Sequence, residues 1–190
     1  MKKSISKTIV TIAIVTAFLM PLMGNTALAD SPETYYFNSR DTFGVPEEWE
    51  EWEVNQDRMI DGDPGTFAST TTDKDVQLLD GNDCSYDPEG TTITTVEIRA
   101  RGKYSDSNAY IILRPVFDGS DDGIDHTFTT ITTVERWSPW FDITYGHQQQ
   151  GWTWTNVANL DCDVEAKKMG DGSFTLFCSK VEIQVTYTTP

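Results

Sequence analysis

A chain of 190 residues with 30 acidic and 14 basic side chains carries a formal charge of −16. A field of that sign repels nucleic acid and anionic lipid while favouring solubility and cations. The sequence shows no basic patch of the kind nucleic-acid binding needs. Aromatic residues make up 12% of the chain and β-branched residues are frequent, a composition that argues against disorder.

The N-terminus reads as a leader. "MKKSISK" is basic, "TIVTIAIVTAFLMPLMG" is apolar and broken by Pro21, and Ala27–Ala29 places small residues at the end of the run. This is the three-part pattern of a secretory signal peptide, with cleavage expected after Ala29. A membrane anchor is the alternative, but the uninterrupted apolar run is short against the roughly 20 residues a span requires. The residue after the cleavage point is Asp30 rather than Cys, which argues against a lipid anchor, and no second long apolar run exists. The expectation is a soluble mature chain, secreted or held at the cell surface, with no membrane insertion after processing. Residues 30–190 form one domain's worth of chain, long enough to bury a core. All 30 acidic residues and 11 of the 14 basic ones lie there, a formal charge of −19.

In chain order, "TYYF" predicts a first strand. "PEEWEEWE", Pro46 to Glu53, opens with Pro and acids as a helix N-terminus does, or else is a loop with two tryptophans folded inward. After residue 90 nearly everything alternates. In "TVEIRAR", Val96, Ile98 and Ala100 share one face, while Glu97, Arg99 and Arg101 share the other. In "AYIILRPVF", Ala109, Ile111, Leu113 and Phe117 face one way. In "KVEIQVTY", Val181, Ile183, Val185 and Tyr187 alternate with Lys180, Glu182, Gln184 and Thr186. A period of two in β-branched and aromatic residues marks half-buried strands. Turn clusters such as "DGDPGT", "YDPEG", "FDGSDDG" and "MGDGS" separate them, and "WTNVANL" suits one helical turn. The predicted fold is an all-β sandwich, a jelly roll of about nine antiparallel strands.

Four features carry candidate chemistry. The first is the bend "MIDGDPGTFAST", Met59 to Thr70, which is either a tight turn satisfied by its own side chains or a calcium loop using Asp63, Thr66 and nearby carbonyls. Calcium takes six to eight oxygens. The second is "FDGSDDGIDH", where Asp118, Ser120 and Asp122 before Gly123 match the first half of a calcium loop. Its second half fails, because Thr129 stands where the bidentate Glu belongs. The third is aromatic. "RWSPWFDIT" holds Trp137 and Trp140, and "GWTWTNV" holds Trp152 and Trp154, which on a strand would share a face. "YGHQQQGW" adds His147 and Gln149 beside them. Such rings stack on pyranose C–H faces while amides bond hydroxyls; the competing reading is that they fill the core. The fourth is cysteine. Cys162 and Cys178 flank "MGDGS" and are expected to pair across a hairpin as a disulfide in an exported chain, with Cys84 able to reach either instead. No GxSxG or HExxH motif is present, so no catalytic residue is assigned and the chain is read as non-enzymatic.

"IDGDPGTFAS", followed by "DVQLLDGN…TTITTVEIRAR" and a closing "SKVEIQVTY", resembles the discoidin or coagulation factor 5/8 type C domains. These are galactose-binding-like jelly rolls that include bacterial carbohydrate-binding modules. The resemblance covers both ends of the mature chain better than its middle. Phe67 stands where the family usually has Trp, and Leu79-Asp80-Gly81 matches its "DLG" element loosely. It implies a structural calcium held by Asp63, Thr66 and Glu182, with Asp61 as a helper. The reading is therefore a secreted, non-catalytic binding module for an extracellular glycan, with calcium as a possible structural cofactor. The alternative is a structural or adhesive surface or phage-like appendage protein that acts through protein–protein contacts.

Overall fold

The computed structural model describes residues 32–41, 51–61, 63, 65–85, 87–105, 109–119, 121–146 and 151–189. The expected leader over 1–29, Trp49 and the first half of "PEEWEEWE" lie outside them. In chain order the strands are β1 (Glu33–Tyr36), β2 (Ala68–Thr70), β3 (Val76–Leu79), β4 (Thr92–Tyr104), β5 (Ala109–Phe117), β6 (Asp121–Asp122), β7 (His126–Phe128), β8 (Arg136–Trp137), β9 (Phe141–Asp142), β10 (Asp161–Lys168) and β11 (Leu176–Thr188). A 3-10 turn spans Gln56–Met59, and a short helix α1 (Trp154–Ala158) precedes β10.

The strands form two antiparallel sheets. The first has the order β1-β11-β4-β8, with β2 also on β11 and β9 also on β4. The second has the order β3-β10-β5-β6, with β7 also on β5. Eleven strands among the described residues exceed the expected nine, because β6, β8 and β9 are two-residue pieces too short to show an alternation. The β-sandwich itself is as expected.

Alternation decides what each sheet buries. Val96, Ile98 and Ala100 of β4 and Val181, Ile183, Val185 and Tyr187 of β11 meet Ile111, Leu113 and Phe117 of β5 and Cys162, Val164 and Ala166 of β10 in one core. Each large side chain buried this way contributes about 1.5–3 kcal/mol over leaving it in water. Trp52 is fully buried with them and donates Nε1–H to the Val164 carbonyl at 2.9 Å. Glu51–Glu53 are not helical, so the inward-folded loop is the form this segment takes where it is described.

One irregularity extends the inward face of β11. Its register on β4 shifts between Cys178 and Lys180, leaving Ser179 as an extra residue. A bulge flips the phase of alternation, so Leu176 and Cys178 point inward before it and Val181 points inward after it. The Ser179 hydroxyl is buried and donates to the Glu135 carboxylate at 2.9 Å.

The cysteine expectation fails. None of the three is disulfide-bonded. Cys162 and Cys178 belong to different sheets, β10 and β11, rather than to neighbouring strands of a hairpin. The turn "MGDGS" carries the chain across the sandwich instead of folding it back into the same sheet. Burial pushes the Cys178 thiol up to about 12 and the Cys162 thiol well above its ordinary value, the latter also raised by Asp163. Both are protonated, apolar core residues.

Gly102 sits where β4 is crowded both by its neighbour β11 and by a side chain of the facing sheet. A Cβ there would sit 2.5 Å from the Phe177 carbonyl oxygen and 2.8 Å from Ile111 Cδ1. Glycine in a strand interior often marks such an approach. Gly102→Ala is expected to lower unfolding stability by about 1–3 kcal/mol, the usual cost of overpacking, read as a lower urea midpoint at unchanged slope.

Candidate functional site

The β4–β11 pairing that buries one set of side chains lifts the other set onto the outer face of the first sheet. Register sets the rows there. Phe177 opposes Lys103, Lys180 opposes Arg101, Glu182 opposes Arg99 and Gln184 opposes Glu97. At the two edges, Tyr36 lies beside Glu182 and Trp137 beside Arg101.

The centre of this face is an arginine flanked by two tryptophans. The Arg99 guanidinium carbon is 4.1 Å from the Trp137 ring centroid and 4.0 Å from that of Trp140. Glu182 holds it from the side, with Oε2 accepting from Nε at 2.8 Å and Nη2 at 2.7 Å. Glu182 is only 4% exposed, and Lys180 Nζ lies 3.6 Å from its second oxygen. A charge that buried is retained only when paired and hydrogen-bonded, so Glu182 fixes the arginine and thereby both indoles.

The pattern repeats along the strand. Arg101 pairs with Glu135 at 2.9 Å. Lys180 Nζ sits 3.6 Å over the Tyr36 ring. Lys103 Nζ sits 4.2 Å from the Phe67 centroid and 5.3 Å from that of Phe177, two rings packed edge to face at 6.0 Å. Four of the 14 basic residues of the chain thus stand on one face among five aromatic rings. The sequence showed no basic patch because Lys180 joins the stripe from nearly 80 residues away. The readable signal was "EIRARGK", three outward cations on one strand.

The outer face of the second sheet has the opposite character. Arg114 reaches Asp125 at 2.7 Å, Glu165 at 3.4 Å and Asp163 at 3.6 Å. Burial, with Asp122 and Glu165 adding and Arg114 opposing, pushes the Asp163 carboxyl up to about 6. Burial likewise raises Asp161, which lies with Asp80 and Asp118 around a shallow acidic depression.

The sequence-derived candidates separate accordingly. Trp137 and Trp140 come together around Arg99. Trp152 and Trp154 do not share a strand face, because Thr153 caps α1: its hydroxyl accepts from the Asn156 amide, and the Asn156 side chain accepts from the Thr153 amide. Trp154 is buried, donates to the Thr91 hydroxyl at 2.9 Å and packs edge-on to Tyr187. Trp152 is half-buried, donates to the Thr144 carbonyl at 2.9 Å and packs on Phe117. Both follow the core reading. His147 and Gln149 lie outside the described residues.

The residues proposed for calcium do not fit it as arranged. Asp61 accepts from the Asp63 amide at 2.8 Å, the Thr66 hydroxyl at 2.8 Å and the Arg58 guanidinium at 3.0 Å. Asp63 accepts from the Gly65 amide at 2.9 Å. The oxygens a cation needs already face donors, one of them cationic, and Glu182 is held by Arg99 and Lys180. Asp118 and Asp122 are exposed, and no three metal-ligating side chains converge among the described residues. The bend is a turn satisfied by its own Asx contacts.

No family model matches the chain, and no curated protein matches it. Among solved structures, a chain in the structure of the infectious bursal disease virus Gx strain aligns with 84% of this chain at 9% identity and a TM-score of 0.31. This chain spans 37% of that one. So distant a likeness carries no argument about activity. The discoidin resemblance is met only in its coarse part, two antiparallel sheets compatible with a jelly roll.

Two outcomes follow from these electrostatics. Exchanging millimolar calcium for chelator should leave the melting temperature unchanged, measured by scanning calorimetry. Between pH 3.8 and about 6 the folded chain holds a proton on Asp163 that the unfolded chain has released. Its contribution to stability is therefore complete at the acid end and lost as pH rises through 6. Relative to the wild type, Asp163→Asn should gain on the order of 2 kcal/mol between pH 4 and 7, read by urea denaturation.

Proposed function

We propose that this chain is a non-catalytic binding module acting outside the cell, and that its ligand is carbohydrate seated on the outer face of the first sheet. The observation that supports this reading is the Trp137–Arg99–Trp140 stack locked by Glu182. Both indoles are half-buried, so each ring is held in place while part of it stays open to solvent. Fixed aromatic faces bring contact area at low entropic cost, and a flat sheet face suits an extended chain of sugars better than a single small molecule. Arg99 covers one face of each indole, and donors from Arg99, Arg101 and Lys180 stand close by to bond the hydroxyl groups of a sugar.

A second reading is favoured by composition. Tyr, Trp and Arg are the residues that dominate protein–protein hot spots, and all three meet here. On that reading the same face joins a structural or adhesive assembly.

The test is binding across a panel of polysaccharides by affinity electrophoresis, with wild type, Trp137→Ala and Trp140→Ala. The expected result is retardation by at least one polysaccharide and a loss of about tenfold in affinity, or ~1.4 kcal/mol, in each tryptophan variant. Arg114→Gln, on the far sheet, should bind as wild type. A blank across the panel combined with a concentration-dependent mass in light scattering would transfer the face to protein assembly.

A further inference from the structure

Within the carbohydrate reading, on which this step rests, we infer that the ligand is an acidic polysaccharide of sparse charge, and that its carboxylate seats on Lys103. Four cations stand on this face, and three of them are already engaged by carboxylates: Arg99 and Lys180 by Glu182, and Arg101 by Glu135. Lys103 has no carboxylate partner among the described residues. Its ammonium lies instead over Phe67 and Phe177.

An uncompensated ammonium seated over an aromatic pair matches a uronic acid residue, whose anionic group meets the ammonium while its apolar C–H face lies against the ring surface left around it. The geometry continues from there to the tryptophan stack. Lys103, Arg101 and Arg99 alternate on one strand face, and alternate residues repeat at about 6.6–6.8 Å. A sugar chain lying along β4 from the phenylalanine pair to Trp140 therefore passes all three cations. Glu97, next on the same face, closes the stripe, with burial and the neighbouring Asp142 holding its carboxyl above the usual range.

The same arrangement excludes dense polyanions. Nucleic acid carries one charge per about 1.7 Å of duplex, whereas among the described residues Lys103 is the cation of this face without a carboxylate partner, and it stands within an acidic molecule. Charges beyond about 8 Å are screened at physiological salt, so a single carboxylate at Lys103 meets the local ammonium first. A polymer charged at every step places further anions against Glu97, Glu135 and the acidic rim.

The experiment compares an oligosaccharide carrying a single glucuronate among neutral sugars with its methyl ester, which keeps the backbone and removes the charge. Binding is measured by calorimetry for wild type, Lys103→Gln and Lys103→Arg, with a thermal melt to confirm folding. The expected result is a preference of about fivefold for the free acid, the upper scale of one solvent-exposed ion pair. Lys103→Gln should abolish that preference, Lys103→Arg should retain it, and affinity for the ester should not change. Equal binding of acid and ester by wild type, or a preference that survives Lys103→Gln, overturns the inference and leaves the carbohydrate reading standing. Binding of neither oligomer while neutral polysaccharides of the panel bind also overturns the inference alone. Binding of no polysaccharide at all removes both. Tight binding of single-stranded DNA by wild type would overturn the selection for sparse charge.

Discussion

The twelve-pair register between β4 and β11 is the constraint on which both the interior and the working surface depend. One face of that ladder supplies the central apolar layer of the sandwich. The other face lines up Arg99 with Glu182 and Lys103 with Phe177, and no short-range signal links those partners. Because side chains alternate with a period of two, a one-residue slip of β11 would send Val181, Ile183 and Val185 into water and drive Lys180, Glu182 and Gln184 into the core. Burial of the apolar set therefore enforces the polar set. The outer face needs no stabilisation of its own to stay ordered.

The bulge at Ser179 belongs to the same logic. It lets one strand of thirteen residues keep apolar side chains inward on both sides of a phase change. It also sets Lys180 beside Arg101 and directs the Ser179 hydroxyl to Glu135, the carboxylate that pairs with Arg101. A local backbone irregularity thus joins the packing of the core to the charge pattern outside. Gly102, opposite the bulge, is the position where β4 has no room for even a methyl group.

Much of the sandwich was legible because half-buried strands write their burial into alternation. The inward sets of β4, β5 and β11 were read correctly from the sequence, as were the first strand at "TYYF" and the turn at "WTNVANL". What escaped was long-range. The pairing of Lys180 with Arg101 depends on register, which one strand's sequence does not encode. The hairpin disulfide failed because a Gly-rich turn looks the same whether its strands pair or cross between sheets. Trp152 and Trp154 misled because a two-residue spacing implies a shared face only on a strand, and the capping box at Thr153 turns the chain into a helix between them. Of the proposed ligand residues that the structure describes, Trp137 and Trp140 converge and Trp152 and Trp154 do not, and the arginine that joins the first pair was visible in "EIRARGK" only as a surface charge.

An acidic molecule can keep a functional cationic stripe because distance discriminates between the two fields. Opposite charges about 4 Å apart attract by roughly 1 kcal/mol in bulk water and roughly 4 at the effective dielectric of a protein surface. A carboxylate about 20 Å away contributes roughly 0.2 kcal/mol before screening, and a Debye length of about 8 Å reduces that more than tenfold. Even the whole surplus of distant carboxylates then sums to a few tenths of a kcal/mol, less than one contact at Lys103. Net charge sets solubility and the long-range approach; the sign of the nearest unpaired group sets what is held once contact is made. On the proposed reading Glu182 and Glu135 therefore matter more to selectivity than the remaining acids together, because they engage Arg99, Lys180 and Arg101 and leave Lys103 without a carboxylate partner among the described residues.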